Sequence, residues 1–174
     1  MAKIIIIGCP GSGKSTMTFR LKEMLKYPVL HLDKIYHIDN HTRISREELV
    51  RKVDTFAKSN NHWIIDGNYI STIEQRVKLA DRVILLNLDT EICLQNAIAR
   101  SKKDRTADMA DGFDNSKIED EFIESIIKFK ADTLPRIFEI LELYKNEKKI
   151  IILKDYEEIN SFILNLTKKK FVPN

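Results

Sequence analysis

The sequence is poor in the residues that build disulfide-rich or membrane-spanning proteins. It has 2 cysteines in 174 residues, and Cys9 and Cys93 form neither a Cys-x-x-Cys metal pattern nor a disulfide framework. No apolar run approaches the ~20 residues that a membrane-spanning helix needs. The apolar run that follows Met1 is too short for the core of a signal peptide. These absences predict a cytoplasmic chain that does not contact membranes.

Neither sign of charge dominates. The chain carries 29 lysines and arginines against 26 aspartates and glutamates, a net charge of +3. The one basic run, residues 168–170, is short and close to the end of the chain, where we expect a solvated tail. Because nucleic-acid-binding domains gather their basic residues into a patch or stripe, this pattern gives little support to a nucleic-acid partner. Both a monomer and a homodimer are compatible with it.

Apolar residues make up 43% of the chain. Five short runs of the sequence are almost entirely apolar, and amphipathic stretches separate them. This alternation is typical of strands joined by crossover helices, which form a parallel sheet covered on both faces. A chain of this length can bury one such core, so we predict a single α/β domain over residues 1–174. The predicted strands are residues 3–7, 29–32, 63–65, 83–88 and 150–153.

Three serines mark predicted helix starts. Ser45, Ser71 and Ser116 each precede a glutamate by three residues, which is the spacing of a capping box. Pro135 interrupts a later helical pattern and predicts a kink or a new helix at that point. Residues 102–115 are polar, lack helical periodicity and are predicted to form a mobile lid, because long loops of this kind are usually functional.

A phosphate-binding motif is the strongest functional signal. Residues 8–15 read Gly-Cys-Pro-Gly-Ser-Gly-Lys-Ser, between an apolar run and an amphipathic stretch as the motif requires. Glycines let the backbone curl around a triphosphate, while Lys14 is expected to contact the β- and γ-phosphates and Ser15 to bind Mg²⁺. The sequence therefore predicts a site for ATP and Mg²⁺ formed by Gly8, Cys9, Pro10, Gly11, Ser12, Gly13, Lys14, Ser15 and Thr16.

Two aspartates end predicted strands and would lie across the sheet's crevice from this motif. Asp33 follows the second strand and Asp66 the third, and either can serve the metal or the phosphoryl acceptor. We assign Asp33 to orient or deprotonate the acceptor and Asp66 to the Mg²⁺ shell. No Asn-Lys-x-Asp run marks a GTPase, and no paired acids end a strand as in motor ATPases. A compact kinase is the remaining pattern.

Several runs together resemble the topology modulation proteins, a family related to adenylate kinases. The resemblance spans nearly the whole chain and rests on the phosphate motif, His-Leu-Asp at 31–33, Trp-Ile-Ile-Asp-Gly-Asn-Tyr at 63–69 and Arg-Thr-Ala-Asp-Met-Ala-Asp-Gly at 105–112. It implies a three-layer α/β/α fold with a five-stranded parallel sheet of order 2-3-1-4-5, ATP with Mg²⁺, and a closing lid. After Asp66 and Gly67 the chain departs from adenylate kinases, which counts against AMP as the acceptor.

Arginines near the predicted lid are candidates to stabilise the transferring phosphoryl group, because catalysis of this transfer is mostly positioning and electrostatics. We predict that Arg100 and Arg105 stabilise the transferring phosphoryl group. We also predict that Arg100 and Arg136 contact the nucleotide. Arg76 is a further candidate. The predicted catalytic residues are therefore Lys14, Asp33, Arg100 and Arg105.

Histidines and aromatic residues surround the two aspartates in the sequence. His31, His37 and His41 lie within a short segment that we interpret as a substrate-recognition loop, since turn residues separate the last two and a third metal ligand is missing. Trp63 and Tyr69 flank the third strand, where they pack in the core or stack on the acceptor.

The sequence thus predicts an ATP-dependent phosphotransferase acting on a small molecule of unspecified identity. Two alternatives share the same phosphate motif. One is a non-catalytic ATP-binding regulator, which could act through DNA topology, and the other is a slow ATPase with water as its acceptor. The motif alone does not separate these three functions.

Overall fold

The computed structural model describes residues 2–38, 42–100 and 120–170. A five-stranded parallel sheet lies at its centre, with strand order β2-β3-β1-β4-β5. This order is the one that the family resemblance implied, so the predicted fold is confirmed. The strands are β1 (Lys3–Gly8), β2 (Val29–His31), β3 (Trp63–Asp66), β4 (Arg82–Leu86) and β5 (Lys149–Leu153).

Helices cover both faces of the sheet and complete the α/β/α layers. A π-helical segment, Phe129–Thr133, separates the sixth helix from the seventh. Pro135 lies in the first turn of that seventh helix, so the interruption predicted at this proline is confirmed. The helices are α1 (Lys14–Leu25), α2 (Leu32–Tyr36), α3 (Arg46–Ser59), α4 (Ile70–Leu79), α5 (Thr90–Arg100), α6 (Asp120–Lys128), α7 (Leu134–Leu143) and α8 (Tyr156–Lys170).

The core lies on both faces of the inner strands. The isoleucines of β1 and the apolar residues of β3 and β4 are almost fully buried, as expected for parallel strands without polar alternation. Trp63 is completely buried at the start of β3, which confirms its predicted core packing. No helix in the described part of the chain combines the length and apolar character needed to cross a bilayer.

The second strand is shorter than predicted, and this moves Asp33. β2 ends at His31, which pairs with Asp66, the last residue of β3. Leu32 therefore has no partner with which to extend the ladder. Leu32 begins α2 and packs closely on Gly67. A Cβ added at Gly67 would lie only 2.8 Å from the Cβ of Leu32. The prediction that Asp33 closes a strand was wrong, because Asp33 lies in the first turn of a helix.

The predicted capping boxes had different outcomes. The Ser45 hydroxyl accepts a hydrogen bond from the Glu48 amide at 3.1 Å, so that helix start is confirmed. The prediction at Ser71 was wrong: the N-cap residue of α4 is Tyr69, two residues earlier, and the Tyr69 carbonyl accepts a hydrogen bond from the Thr72 amide. The third signature, at Ser116, lies outside the described residues, as does the predicted lid.

Replacing Ser45 with alanine should lower the free energy of unfolding by about 1 kcal/mol, because the Glu48 amide loses its acceptor. Denaturant unfolding followed by circular dichroism measures the loss. Ser71→Ala is the matched control, since this exposed serine occupies no capping position, and we expect a change within about 0.5 kcal/mol. Equal losses in the two variants would contradict the assignment of the two helix starts.

Candidate functional site

The phosphate loop, residues 8–15, joins β1 to α1. Gly8, Gly11 and Gly13 have φ angles of 147°, 82° and 90°, which side chains rarely adopt. At Gly11 a Cβ would also lie 2.0 Å from the backbone oxygen of Cys93 on α5. The space beside Gly13 is open, so only its backbone conformation calls for glycine. The loop therefore has the inward-curled backbone that the sequence motif predicts.

Lys14 is held at the centre of this loop. Its Nζ donates to the carbonyl oxygens of Gly8 and Cys9, at 2.9 Å in each case. Burial lowers the pKa of Lys14, the negative charge of Asp33 opposes this shift most, and the positive charge of Arg100 adds to it. Asp66 also acts on this pKa, as a smaller opposing charge. The fold thus brings Asp33, Asp66 and Arg100 within electrostatic reach of Lys14.

The hydroxyl groups of the loop fit a phosphate group. Ser12 is fully buried, and its Oγ has no hydrogen-bond partner within the described residues. A buried hydroxyl without a partner is costly unless a ligand satisfies it. Ser15 and Thr16 lie in the first turn of α1, a 12-residue helix whose N-terminal amides favour anions. The Ser12 hydroxyl is therefore the feature that best supports a bound phosphate.

Asp66 is oriented by a histidine. The carboxylate is 4% exposed, and its two oxygens lie 2.9 and 3.0 Å from Nδ1 of His31. Because a carboxylate can only accept, Nδ1 carries the proton and donates it. The sequence placed His31 in a recognition loop and did not show this pairing. The two residues are direct neighbours in the register of β2 and β3, and the sequence alone does not give that register.

The Asp66 carboxylate and the Ser15 hydroxyl are oxygen ligands of the type that Mg²⁺ prefers. Within residues 2–38, 42–100 and 120–170, no group of three or more His, Cys, Asp or Glu side chains is arranged to hold a metal ion by itself. Protein sites for Mg²⁺ commonly supply one or two carboxylates and leave the remaining positions to substrate phosphates and water. The residues present therefore fit an ion that binds together with a nucleotide.

Asp33 is oriented by a tyrosine. Its Oδ1 accepts a hydrogen bond of 2.7 Å from the Tyr69 hydroxyl. Burial, and then the charge of Asp33, raise the pKa of Tyr69, so the phenol keeps the proton that it donates. The ring of Tyr69 packs on that of Tyr36, with centroids 4.5 Å apart. The sequence offered core packing or acceptor stacking for Tyr69, and the bond to Asp33 was missed.

Arg76 is not available to a phosphate. It is completely buried in α4, where Nη1 and Nη2 donate to the carbonyl oxygens of Gly67 and Tyr69 at 2.9 and 3.0 Å. Its Nε donates to the carbonyl and hydroxyl oxygens of Thr72 at 3.3 and 3.2 Å. Burial lowers the pKa of Arg76 to about 10, and the negative charge of Asp66 opposes this shift. The suggestion that Arg76 contacts the phosphoryl group was wrong.

The other predicted arginines are placed differently. Arg100 is the last residue of α5, is partly exposed, and its charge reaches Lys14. Arg136 is exposed in the first turn of α7, and its contact with the nucleotide stays a prediction. Arg105 lies outside the described residues.

Helix α5 supports the phosphate loop from the side. Asn96 donates to the carbonyl oxygen of Gly11 at 2.9 Å. Cys9 and Cys93 are buried free thiols in hydrogen-bonding contact, and that bond together with burial raises the pKa of Cys9. Cys9 therefore stays protonated and fills space in the loop. No sequence signal identified Asn96, because an asparagine within a helix has no distinctive pattern.

The predicted recognition segment is described only in part. His37 forms an isolated antiparallel bridge with Arg43, and burial lowers the pKa of His37. His41 lies outside the described residues. The role of this segment in recognition stays a prediction.

A family model matches the first half of the chain. The model, described as chromatin associated protein KTI12, covers residues 1–90. This is just over half of the 174 residues, and it includes the phosphate loop and both aspartates. No curated protein sequence matches the chain.

Solved structures with the same fold are small-molecule kinases. Shikimate kinase from Acinetobacter baumannii in complex with shikimate has a TM-score of 0.63 and 14% identity, over 99% of this chain and 96% of that chain. Deoxyadenosine kinase from M. mycoides with bound dATP has a TM-score of 0.55 and 16% identity, over 97% and 100%. The same enzyme with the products dCMP and dCDP has a TM-score of 0.56. At such identities the comparison shows the P-loop kinase fold alone.

Alanine at Gly11 should destabilise the protein more than alanine at Gly13. Both substitutions place a side chain at positive φ, which costs about 1–2 kcal/mol. Only Gly11→Ala also forces a Cβ against the backbone of Cys93, which we expect to cost ~1–3 kcal/mol more. Urea unfolding of the two variants and the parent measures the difference. Similar losses would show that α5 does not constrain the loop.

Proposed function

We propose that this chain, which belongs to the family of the chromatin associated protein KTI12 and has the fold of small P-loop kinases, is an ATP-dependent phosphotransferase. The proposed reaction moves the γ-phosphoryl group of MgATP to a small-molecule acceptor. One observation supports it most: a second carboxylate, that of Asp33, lies outside the phosphate loop and is held in one orientation by a 2.7 Å hydrogen bond from the Tyr69 hydroxyl. Binding of a nucleotide by the loop does not require this second carboxylate, whereas orienting and deprotonating an acceptor hydroxyl does.

The donor side of the proposed site consists of loop residues. Lys14 would exchange its carbonyl partners for phosphate oxygens, and Ser12 would donate the hydroxyl that now lacks a partner. Ser15 and Asp66 would hold Mg²⁺ together with the phosphates, and the ion would neutralise phosphate charge. His31 keeps the Asp66 carboxylate in one orientation. These residues position the triphosphate and stabilise its charge, which are the main requirements for phosphoryl transfer.

The acceptor side of the proposed site centres on Asp33. Its carboxylate orients the acceptor hydroxyl and takes the proton as the new oxygen–phosphorus bond forms. The bond between the γ-phosphorus and the bridging oxygen breaks, and ADP leaves with that electron pair. Arg100 contributes positive charge beside Lys14. Contributions from Arg105 and Arg136, and closure of a lid at residues 102–115 within one domain, are parts of the same proposal.

The closer relationship to topology modulation proteins also belongs to this proposal. It is supported by the residues at 31–33 and 63–69, which in the structure contain both oriented aspartates. The cytoplasmic location and the choice between monomer and homodimer stay predictions.

A nucleotide-dependent regulator is the second candidate, because the matching family is described as chromatin associated. ADP formation measured with nucleosides, nucleotides, small alcohols and no acceptor separates the functions. A kinase forms ADP in an acceptor-dependent way, and a slow ATPase does so without an acceptor. A regulator binds ATP tightly without turnover, and that result would sink the phosphotransferase proposal.

Replacing Lys14 with alanine should reduce ADP formation by about a hundredfold or more, since it removes a cation directed at developing negative charge. Initial rates with saturating MgATP measure the loss. Lys22→Ala is the matched control, because this exposed lysine lies on the same helix, and its rate should equal the parent's. A folded Lys14→Ala protein with full turnover would contradict the role of the loop.

Asparagine substitutions should separate the two aspartates. We expect Asp33→Asn to leave ATP affinity close to the parent's while lowering kcat, because Asp33 acts on the acceptor. Asp66→Asn should instead weaken the Mg²⁺-dependent part of ATP binding. Calorimetric titration with a non-hydrolysable ATP analogue, with and without Mg²⁺, and steady-state kinetics distinguish these effects. The opposite pattern would reverse the two assignments.

A further inference from the structure

Asp33 needs a device that fixes its carboxylate. It lies in α2, a helix of only five residues that follows a three-residue strand, and its side chain is only partly buried. A catalytic group has to be held within about 0.5 Å of its working position by the packing and hydrogen bonds of its neighbours. The backbone of so short a helix does not provide this, so the restraint must come from another part of the fold.

Tyr69 provides the first part of this restraint. Its hydroxyl is 2.7 Å from Oδ1 of Asp33, a short charge-assisted hydrogen bond. The ring cannot swing away freely, because it is partly buried and packs on Tyr36. The bond to Oδ1 limits rotation of the carboxylate, so both of its oxygens are held in one orientation. Tyr69 therefore sets the direction in which Asp33 meets an acceptor hydroxyl.

Arg76 provides the second part. It is a fully buried cation whose hydrogen bonds, within the described residues, go to two carbonyl oxygens of the β3–α4 loop (residues 67–69) and to Thr72. Burying a guanidinium is costly, but its rigid planar fork can fix two carbonyls of one loop at once. The loop begins directly after Asp66 and ends at Tyr69. Arg76 thus sets the position of the tyrosine backbone relative to Asp66.

We propose that Arg76 and Tyr69 are positioning residues for the reaction: Arg76 fixes the β3–α4 loop, and through it Tyr69 holds Asp33 at a set distance from Asp66. This inference rests on the proposed function, in which Asp33 serves the acceptor and Asp66 the metal. In this proposal, Arg76 determines the distance between the acceptor side and the donor side of the site.

A double-mutant cycle tests the action of Tyr69 through Asp33. Tyr69→Phe should lower kcat for ADP formation by about tenfold to a hundredfold, while the KM for ATP stays within about twofold of the parent's. In the Asp33→Asn background, Tyr69→Phe should cause no further loss, because the residue it positions is already disabled. Additive losses would overturn the proposal.

Tyr144→Phe is the matched control for this cycle. The Tyr144 hydroxyl also donates to a carboxylate, that of Glu74, at 3.1 Å on the exposed surface. Its removal should leave kcat unchanged. A loss of kcat equal to that of Tyr69→Phe would indicate a general effect of deleting a tyrosine hydroxyl, and would overturn the specific role of Tyr69.

Arg76→Lys tests whether Arg76 fixes the β3–α4 loop. Lysine keeps the positive charge but lacks the planar fork that bonds the carbonyl oxygens of Gly67 and Tyr69 at once. We expect kcat to fall as it does in Tyr69→Phe, and the two substitutions together to be no worse than either alone. Arg76→Lys with the parent's kcat would overturn the role of Arg76. If the variant does not fold, the Tyr69 and Asp33 cycle still decides the proposal through the second residue.

The proposal can fail separately from the proposed function. ADP formation by the parent that is insensitive to Tyr69→Phe would overturn the positioning role alone. No ADP formation by the parent with any nucleoside, nucleotide, small alcohol or water would overturn both. A double-mutant cycle on the free energy of unfolding adds a test that needs no acceptor. If the losses of stability for Tyr69→Phe and Asp33→Asn are additive, the two side chains do not interact. That result would overturn the positioning role.

Discussion

The parallel pairing of β1 with β3 is the constraint on which the candidate site depends. It aligns Ile6 with Asp66, so the phosphate loop leaves the sheet at the same edge as the carboxylate. The Gly67 amide still donates to the Ile6 carbonyl at 3.2 Å, and the chain then continues through residues 67–69 into α4. Both the donor side and the loop that carries Tyr69 start from this pair of strands. The points where the two segments leave the sheet are therefore fixed by backbone hydrogen bonding in the core.

The same pairing explains why β2 ends where it does. β3 has no residue in the ladder beyond Asp66, so β2 cannot continue past His31. The chain turns into a helix at Leu32, which is buried against Gly67. Asp33 is therefore carried by a helix whose start is determined by the length of a neighbouring strand. In the sequence, His-Leu-Asp follows an apolar run, but the length of β3, which determines where β2 ends, cannot be read from it.

The parts of the molecule that could be predicted are those whose physical cause is local. The phosphate loop was predictable because its glycines, lysine and serine are needed within eight consecutive residues. The sheet's existence followed from the apolar runs, although its strand order came only from a family resemblance. Ser45 and Ser71 show the limit, because they have the same local signature while only Ser45 caps a helix. At Ser71 the start of the helix is set by Tyr69, whose carbonyl and hydroxyl both have partners in the folded protein.

The orientation of the two aspartates had no local cause and could not be predicted. His31 and Asp66 are 35 residues apart in sequence, and Asp33 and Tyr69 are 36 apart. Each pair forms because β2 and β3 are neighbours in the sheet. Shikimate and deoxyadenosine kinases share this fold at 14–16% identity and were solved with different small molecules bound. In the proposed function, the donor side is specified by its own motif, while the acceptor side depends on the long-range contacts of β2 and β3. Substitutions around Asp33 and Tyr69 would then alter the choice of acceptor without disturbing the phosphate loop.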